Sequence, residues 1–337
     1  MRYRLLALAL ACLPAAAMTQ MSSGNWDDTA ASIKAACHRI GQPRPPAADR
    51  PSPAQIKALK GCDAEALYYG EGMAVDYVKA RQCAFAQATE GQNVVPVFGG
   101  ETMLMQIYAN GHGVKRDLDL ATAYACRIDG APMENELRVT HLQSLKVKPG
   151  SFDYCDDITS GLAQGECQSR RSNQAAARRD SQLRGMLALF PAAARPAYAP
   201  LAKAFDAFVD AHGDGEVDLT GTARAALVIE EQDRVRNQFR KDLDRLRLGQ
   251  WPADSDAQTA DAQLNTAYRK ALLWAAGKDN LTTTKPEDIR KAQRAWLAYR
   301  DAWLRFAALA APGTPRDAVL ARLTRLRTAQ LDDLSRM

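Results

Sequence analysis

Apolar residues recur at three- and four-residue steps along most of the chain, and no stretch sustains the alternation of a strand, so the pattern predicts an all-α protein. The plainest helix lies near the C-terminus, where Ile289, Ala292, Trp296, Tyr299, Trp303 and Phe306 share one face at steps of 3, 4, 3, 4 and 3. Thr284-Lys285-Pro286-Glu287 reads as its capping-box start and Pro312-Gly313 as its stop. At helical spacing such a stripe is bundle core, although it also marks Trp296 and Tyr299, with the adjacent Arg300 and Asp301, as an interaction surface to be considered. A last helix follows, with Val319, Leu323, Leu326 and Leu334 inward and its arginines outward.

Three helices are predicted upstream: one through Leu183, Leu187 and Phe190, one through Tyr198, Leu201, Phe205 and Phe208, and one through Val228, Val235, Phe239, Leu243 and Leu246. Residues 211–222, with His212-Gly213-Asp214-Gly215-Glu216, and residues 249–259 read as polar connectors. A shift of 91 residues lays Phe205 and Phe208 on Trp296 and Tyr299, and Val235-Arg236 on Leu326-Arg327, which predicts an internal duplication.

The N-terminus pairs a basic head, Arg2 and Arg4, with the apolar run Leu5 to Leu13 and a small-residue stretch ending at Ala17. That order predicts a cleavable signal peptide over residues 1–17, the run being too short to span a bilayer. Export to the periplasm or beyond follows as an expectation, with cleavage after Ala17 preferred to lipidation at Cys12. Removing Cys12 leaves Cys37, Cys62, Cys83, Cys126, Cys155 and Cys167, an even set that predicts disulfides in an oxidising compartment. Cys155 and Cys167 bracket a short turn and are expected to pair; for the other four the connectivity stays open.

Charge divides the chain near residue 150. Residues 18–167 hold 14 basic and 18 acidic side chains, net −4, whereas residues 168–337 hold 28 and 21, net +7. Two regions are therefore expected, 18–150 and 151–337, because one core seldom serves so long a chain. Arg170-Arg171, Arg178-Arg179, Arg240-Lys241, Arg290-Lys291 and Arg322 with Arg325 form a basic face that would suit an anionic cell-wall polymer, while export argues against nucleic acid.

The first region carries a repeat. Ala66, Tyr68, Asp76 and Ala80 recur as Gln106, Tyr108, Asp117 and Ala121, at an offset of 40 to 41, with register slips at the glycine turn. Gly111 and Gly113 suit a tight turn between helices, and Asp117 suits the start of the second. On these residues the region resembles the Sel-like repeats, relatives of the tetratricopeptide repeats. The resemblance implies helix pairs stacked as a short solenoid, flanked by helices around Cys37 and Leu137 to Leu145, and a protein-binding surface.

The second region resembles the lysozyme-inhibitor-like LprI domain. The residues concerned are Asp153-x-Cys155, Cys167, Ala262-x-Leu264-Asn265-x-x-Tyr268 and Gln293-x-x-Trp296-Leu297-x-Tyr299-Arg300-Asp301. Trp303 stands where the family often has a cysteine, so one family disulfide is expected to be missing. The resemblance implies a helical periplasmic domain that inhibits a muramidase. Charge qualifies this, because a cationic lysozyme would meet the basic half against repulsion, except at the acidic run Asp210 to Asp218.

No catalytic, metal or cofactor constellation is predicted. His38, His112, His141 and His212 are scattered, there is no Cys-x-x-Cys, and Gly221 stands where a calcium loop beginning at Asp210 would need its bidentate Glu. The expected function is thus that of an exported, non-catalytic interaction protein with a protein partner, and alternatively that of a muramidase inhibitor.

Overall fold

The structure is a computed structural model that describes residues 26–89, 97–159, 161–334 and 336; the predicted signal peptide and Cys12 lie outside the described residues. Those residues form thirteen α-helices and no strand, and none of the helices is long and apolar enough to cross a membrane.

The first region begins with α1 (Ala31–Ile40) and α2 (Pro53–Ala58), on either side of a segment that holds Pro43, Pro45, Pro46 and Pro51. Next come α3 (Ala64–Tyr69), α4 (Tyr77–Thr89), α5 (Gly100–Asn110), α6 (Leu118–Ala125) and α7 (Pro132–Ser144), and from α3 to α7 each helix packs on the next. The two copies of the repeat superimpose on a constant offset of 41 without the slips read from the sequence: Gly70 and Gly72 match Gly111 and Gly113. All four have φ near +70°, a conformation that costs a side chain about 1–2 kcal/mol. The backbone bonds repeat with them, Asp76 N–H to Leu67 C=O and Asp117 N–H to Tyr108 C=O, while the carboxylates of Asp76 and Asp117 each cap the helix that follows.

Three disulfides join this packing, Cys37–Cys126, Cys62–Cys83 and Cys155–Cys167, and the last, assigned from the sequence to the second region, belongs to the first cluster. Cys37–Cys126 closes 89 residues, which in the chain-entropy account is worth about 4–5 kcal/mol. The extended segment at Phe152 is tied to α5 by two side chains one turn apart. Gln106 donates to Phe152 C=O at 2.9 Å and accepts from Tyr154 N–H, and Asn110 accepts from Phe152 N–H at 2.8 Å. The first hydrophobic cluster accordingly runs from Trp26 to Cys167 and the second from Met186 to Leu334, with α8 (Gly161–Ala188) spanning both.

The second cluster is built by α8, α9 (Arg195–Gly215), α10 (Arg224–Arg247), α11 (Ala257–Ala276), α12 (Pro286–Ala310) and α13 (Arg316–Leu334). Here α8 packs on α10 as α11 packs on α13, and α9 lies against α12 between them. Leu201, Phe205, Phe208, His212 and Gly215 are buried on α9, and 91 residues on Ala292, Trp296, Tyr299, Trp303 and Phe306 are buried on α12. Between α10 and α13 the matching offset is 92: Ala226, Val235 and Phe239 correspond to Ala318, Arg327 and Leu331. Val235 thus matches Arg327, one position away from the sequence alignment.

Two expectations are corrected by this packing. The segment His212-Gly213-Asp214-Gly215 is the end of α9, not a polar connector, and it is mostly buried. Its glycines serve close approach: a Cβ on Gly213 would lie 2.7 Å from the Gln232 side chain of α10, and one on Gly215 2.8 Å from Asp288 Cβ of α12. Likewise the arginines of α13 do not all point outward, since Arg327 is fully buried. The cap of α12 also shifts by one, with Lys285 as N-cap donating its N–H to Asp288 at 3.2 Å and Pro286 at the first helical position.

Candidate functional site

The corner between α12 and α13 forms the most chemically distinct surface of the second region. Ala311-Pro312-Gly313-Thr314-Pro315 ends one helix and starts the next, the two prolines restricting the turn and a Thr314 N–H to Ala311 C=O bond closing it. A cleft of about 820 Å³ opens there, lined among others by Arg300, Asp301, Leu304, Arg305, Pro312 and Arg316. Arg300 donates two bonds to Asp301 at 2.8 and 3.0 Å, and its guanidinium lies 5.4 Å from the centre of the Trp296 ring. Arg316 is exposed and 3.9 Å from Asp317, and Arg305 is exposed with no ion-pair partner among the described residues. Arg305 and Arg316 are exposed, and planar guanidinium forks match carboxylates, so the cleft is suited to an acidic group.

The four residues singled out in the sequence therefore divide. Arg300 and Asp301 stand at the cleft, whereas Trp296 and Tyr299 are buried beneath it. Tyr299 is stacked on Phe208 and accepts a 2.7 Å hydrogen bond from the Trp303 indole. Arg305 and Arg316 were not found from the sequence: Arg305 lies five residues past Arg300 on α12, outside the motif, and only the turn of the chain brings Arg316 to the same cleft.

Toward the opposite end of the α12–α13 pair, where α12 begins, lies a polar network that sequence reasoning also missed. His212 is 3% exposed, and both ring nitrogens contact carboxylates at 2.6 Å, Nδ1 that of Glu216 and Nε2 that of Glu231. Two carboxylate partners require two N–H donors, so the ring is an imidazolium. Burial alone would lower its pKa, but the bonds to Glu216 and Glu231 raise it. Arg327 grips Glu216 through two nitrogens at 2.6 and 2.7 Å and donates to Gln293 at 2.9 Å. Burial pushes the Glu216 carboxyl up, yet Arg327 and His212 reverse this and hold it at about 2. His212, Glu216 and Arg327 are buried, Glu231 is partly exposed, and the group pins α9, α10, α12 and α13 together.

Several arginines assigned to a basic face turn inward. Arg170 is buried over the Tyr69 ring and bonded to Asp153, Arg179 to Asp233, and Arg322 to the buried Asp242. The surface offered to an anionic polymer is correspondingly smaller than the sequence suggested. Among the described residues no group of His, Cys, Asp and Glu is arranged to hold a metal ion. His112 is bonded to Tyr68 and His141 to Asp157.

Residues 252–331 match the family described as lysozyme inhibitor LprI, a span that takes in α11, α12 and most of α13 with the cleft. The uncharacterized protein R02472 of Rhizobium meliloti (strain 1021) is 39% identical over 94 residues, which cover 24% of this chain and 68% of that protein. No solved structure matches significantly.

Proposed function

Since the chain belongs to the family of R02472 and carries an LprI domain at residues 252–331, we propose that it is an exported protein whose C-terminal bundle binds and inhibits a muramidase. The observation that carries this reading is the coincidence of the family match with a three-helix unit that has an open, charged cleft. Three disulfides support a compartment outside the cytoplasm, and the signal-peptide pattern of residues 1–17 supports the same route. The contact surface in this reading is the α12–α13 corner, with Arg300 and Asp301 at its edge.

The helix pairs of residues 64–125, with their matched glycine turns, support a second role as a Sel-like, protein-binding solenoid that brings the inhibitor domain to its place of action. Wall-lysis turbidity assays with the purified mature chain test the main reading. Slowed lysis is expected, and unchanged lysis by every muramidase tried at micromolar excess would defeat it. Capture of a periplasmic protein that survives Arg305→Asp but is lost on reduction of the disulfides would assign the binding to the solenoid instead.

A further inference from the structure

The two three-helix units of the bundle share their pairing and their buried positions, yet they differ at the corner. On α12, Arg300 and Arg305 face the cleft; 91 residues earlier, on α9, the same places hold Val209 and Asp214. The α9 unit folds without these arginines, so the architecture does not require them. Arg305 is exposed and has no ion-pair partner among the described residues, whereas Arg300 is partly buried, paired with the half-exposed Asp301 and set over the Trp296 ring. The charge follows the same division. Residues 252–331 hold 13 basic and 8 acidic side chains, net +5, whereas residues 161–240 hold 11 and 10, net +1. Of the acidic run that offered an alternative contact, Glu216 is buried under Arg327 and Asp218 is bonded to Thr220 and Thr283, while Asp210 and Asp214 remain exposed.

We propose that the cleft between α12 and α13 takes an acidic, carboxylate-bearing segment of the protein partner, held by Arg300, Arg305 and Arg316. The inference rests on the muramidase reading for the identity of the partner, and within it specifies an acidic muramidase in place of the cationic animal type. Leu304 and Pro312 give the cleft apolar walls, which strengthen a charge pair by partly excluding water. The guanidinium forks give it a preference for carboxylates over other acceptors. A cationic enzyme approaches the same surface against long-range repulsion and loses association rate.

The mature full-length chain is assayed against an acidic muramidase and a cationic animal-type lysozyme, and by fluorescence polarisation with a labelled oligoglutamate peptide. The acidic enzyme is expected to be slowed and the cationic one left untouched. Peptide binding is expected to weaken with salt, and Arg305→Asp to weaken both peptide binding and inhibition about tenfold. Circular dichroism of Arg305→Asp should match the parent, because α9 carries aspartate at that place. Equal slowing of both enzymes, or slowing that Arg305→Asp leaves unchanged, overturns the cleft while the muramidase reading stands. A peptide that binds and is released by Arg305→Asp, with neither enzyme slowed, upholds the cleft and overturns the muramidase. Absence of both inhibition and peptide binding overturns the two together.

Discussion

The two regions of this chain are stabilised by different means. In the first, short helices meet through glycine turns, and all six described cysteines are bonded within or against its cluster. In the second, no cysteine enters the core; helices of 19 to 28 residues pack through an aromatic stripe and are pinned by buried ion pairs. Short helices bury little surface each and gain from covalent closure, whereas long ones bury enough to accommodate charges, provided each charge is matched. The difference also fixes where variation is tolerated: at exposed corners in the second region, hardly at all in its polar centre.

Reduction of the three disulfides should produce the largest effect, each bridge contributing about 2–5 kcal/mol to the first region. Hydrogen exchange read by mass spectrometry should then show residues 26–155 losing protection while α9 to α13 keep theirs. Uniform loss across both regions would break the comparison. Next, Arg327→Ala should cost about 3–5 kcal/mol in urea unfolding of the second region, since it leaves the Glu216 carboxylate buried with only His212 to match it.

The same network predicts a pH dependence in the second region. The raised pKa of His212 adds stability that is complete below the ordinary value of about 6.5 and is lost as pH rises through the folded value. Glu216 and Glu231, both held at about 2, add stability present above the ordinary carboxylate range and lost as pH falls toward that value. Thermal unfolding across pH should therefore give a maximum between these limits, and His212→Gln should remove the alkaline decline; an unaltered profile in that variant would refute the assignment. Smaller still, Gly111→Ala should cost the first region about 1–2 kcal/mol, from its φ of +71° and a Cβ placed 3.0 Å from Arg116 Cβ. The smallest effect belongs to the cleft, where Arg305→Asp should change stability by less than about 0.5 kcal/mol. A larger loss would make Arg305 a structural residue.

Much of this could be read before folding. Glycine and aspartate at fixed spacing announced the helix pairs of the first region, because left-handed turns and helix caps depend on local residue type. The stripe from Ile289 to Phe306 announced α12 for the same kind of reason, its period being that of the helix. Misreadings arose where a residue had two uses. Gly213 and Gly215 look like breakers and act as points of close approach, and His212, Glu216 and Arg327 look solvated while matching one another in the core. Of the cleft, Arg300 and Asp301 were visible through their motif, but Arg305 and Arg316 were not, being ordinary arginines until the corner sets them side by side.

Periodicity, glycine placement and cysteine number by themselves determined an all-helical, disulfide-bonded chain, since each reflects forces acting within a few residues or a count. Only the tertiary structure decided which cysteines met among the four left open, which arginines turned inward, and which corner stayed open. Those outcomes depend on contacts between residues as far apart as Glu216 and Arg327, whose energies exist only once α9 and α13 have been brought together.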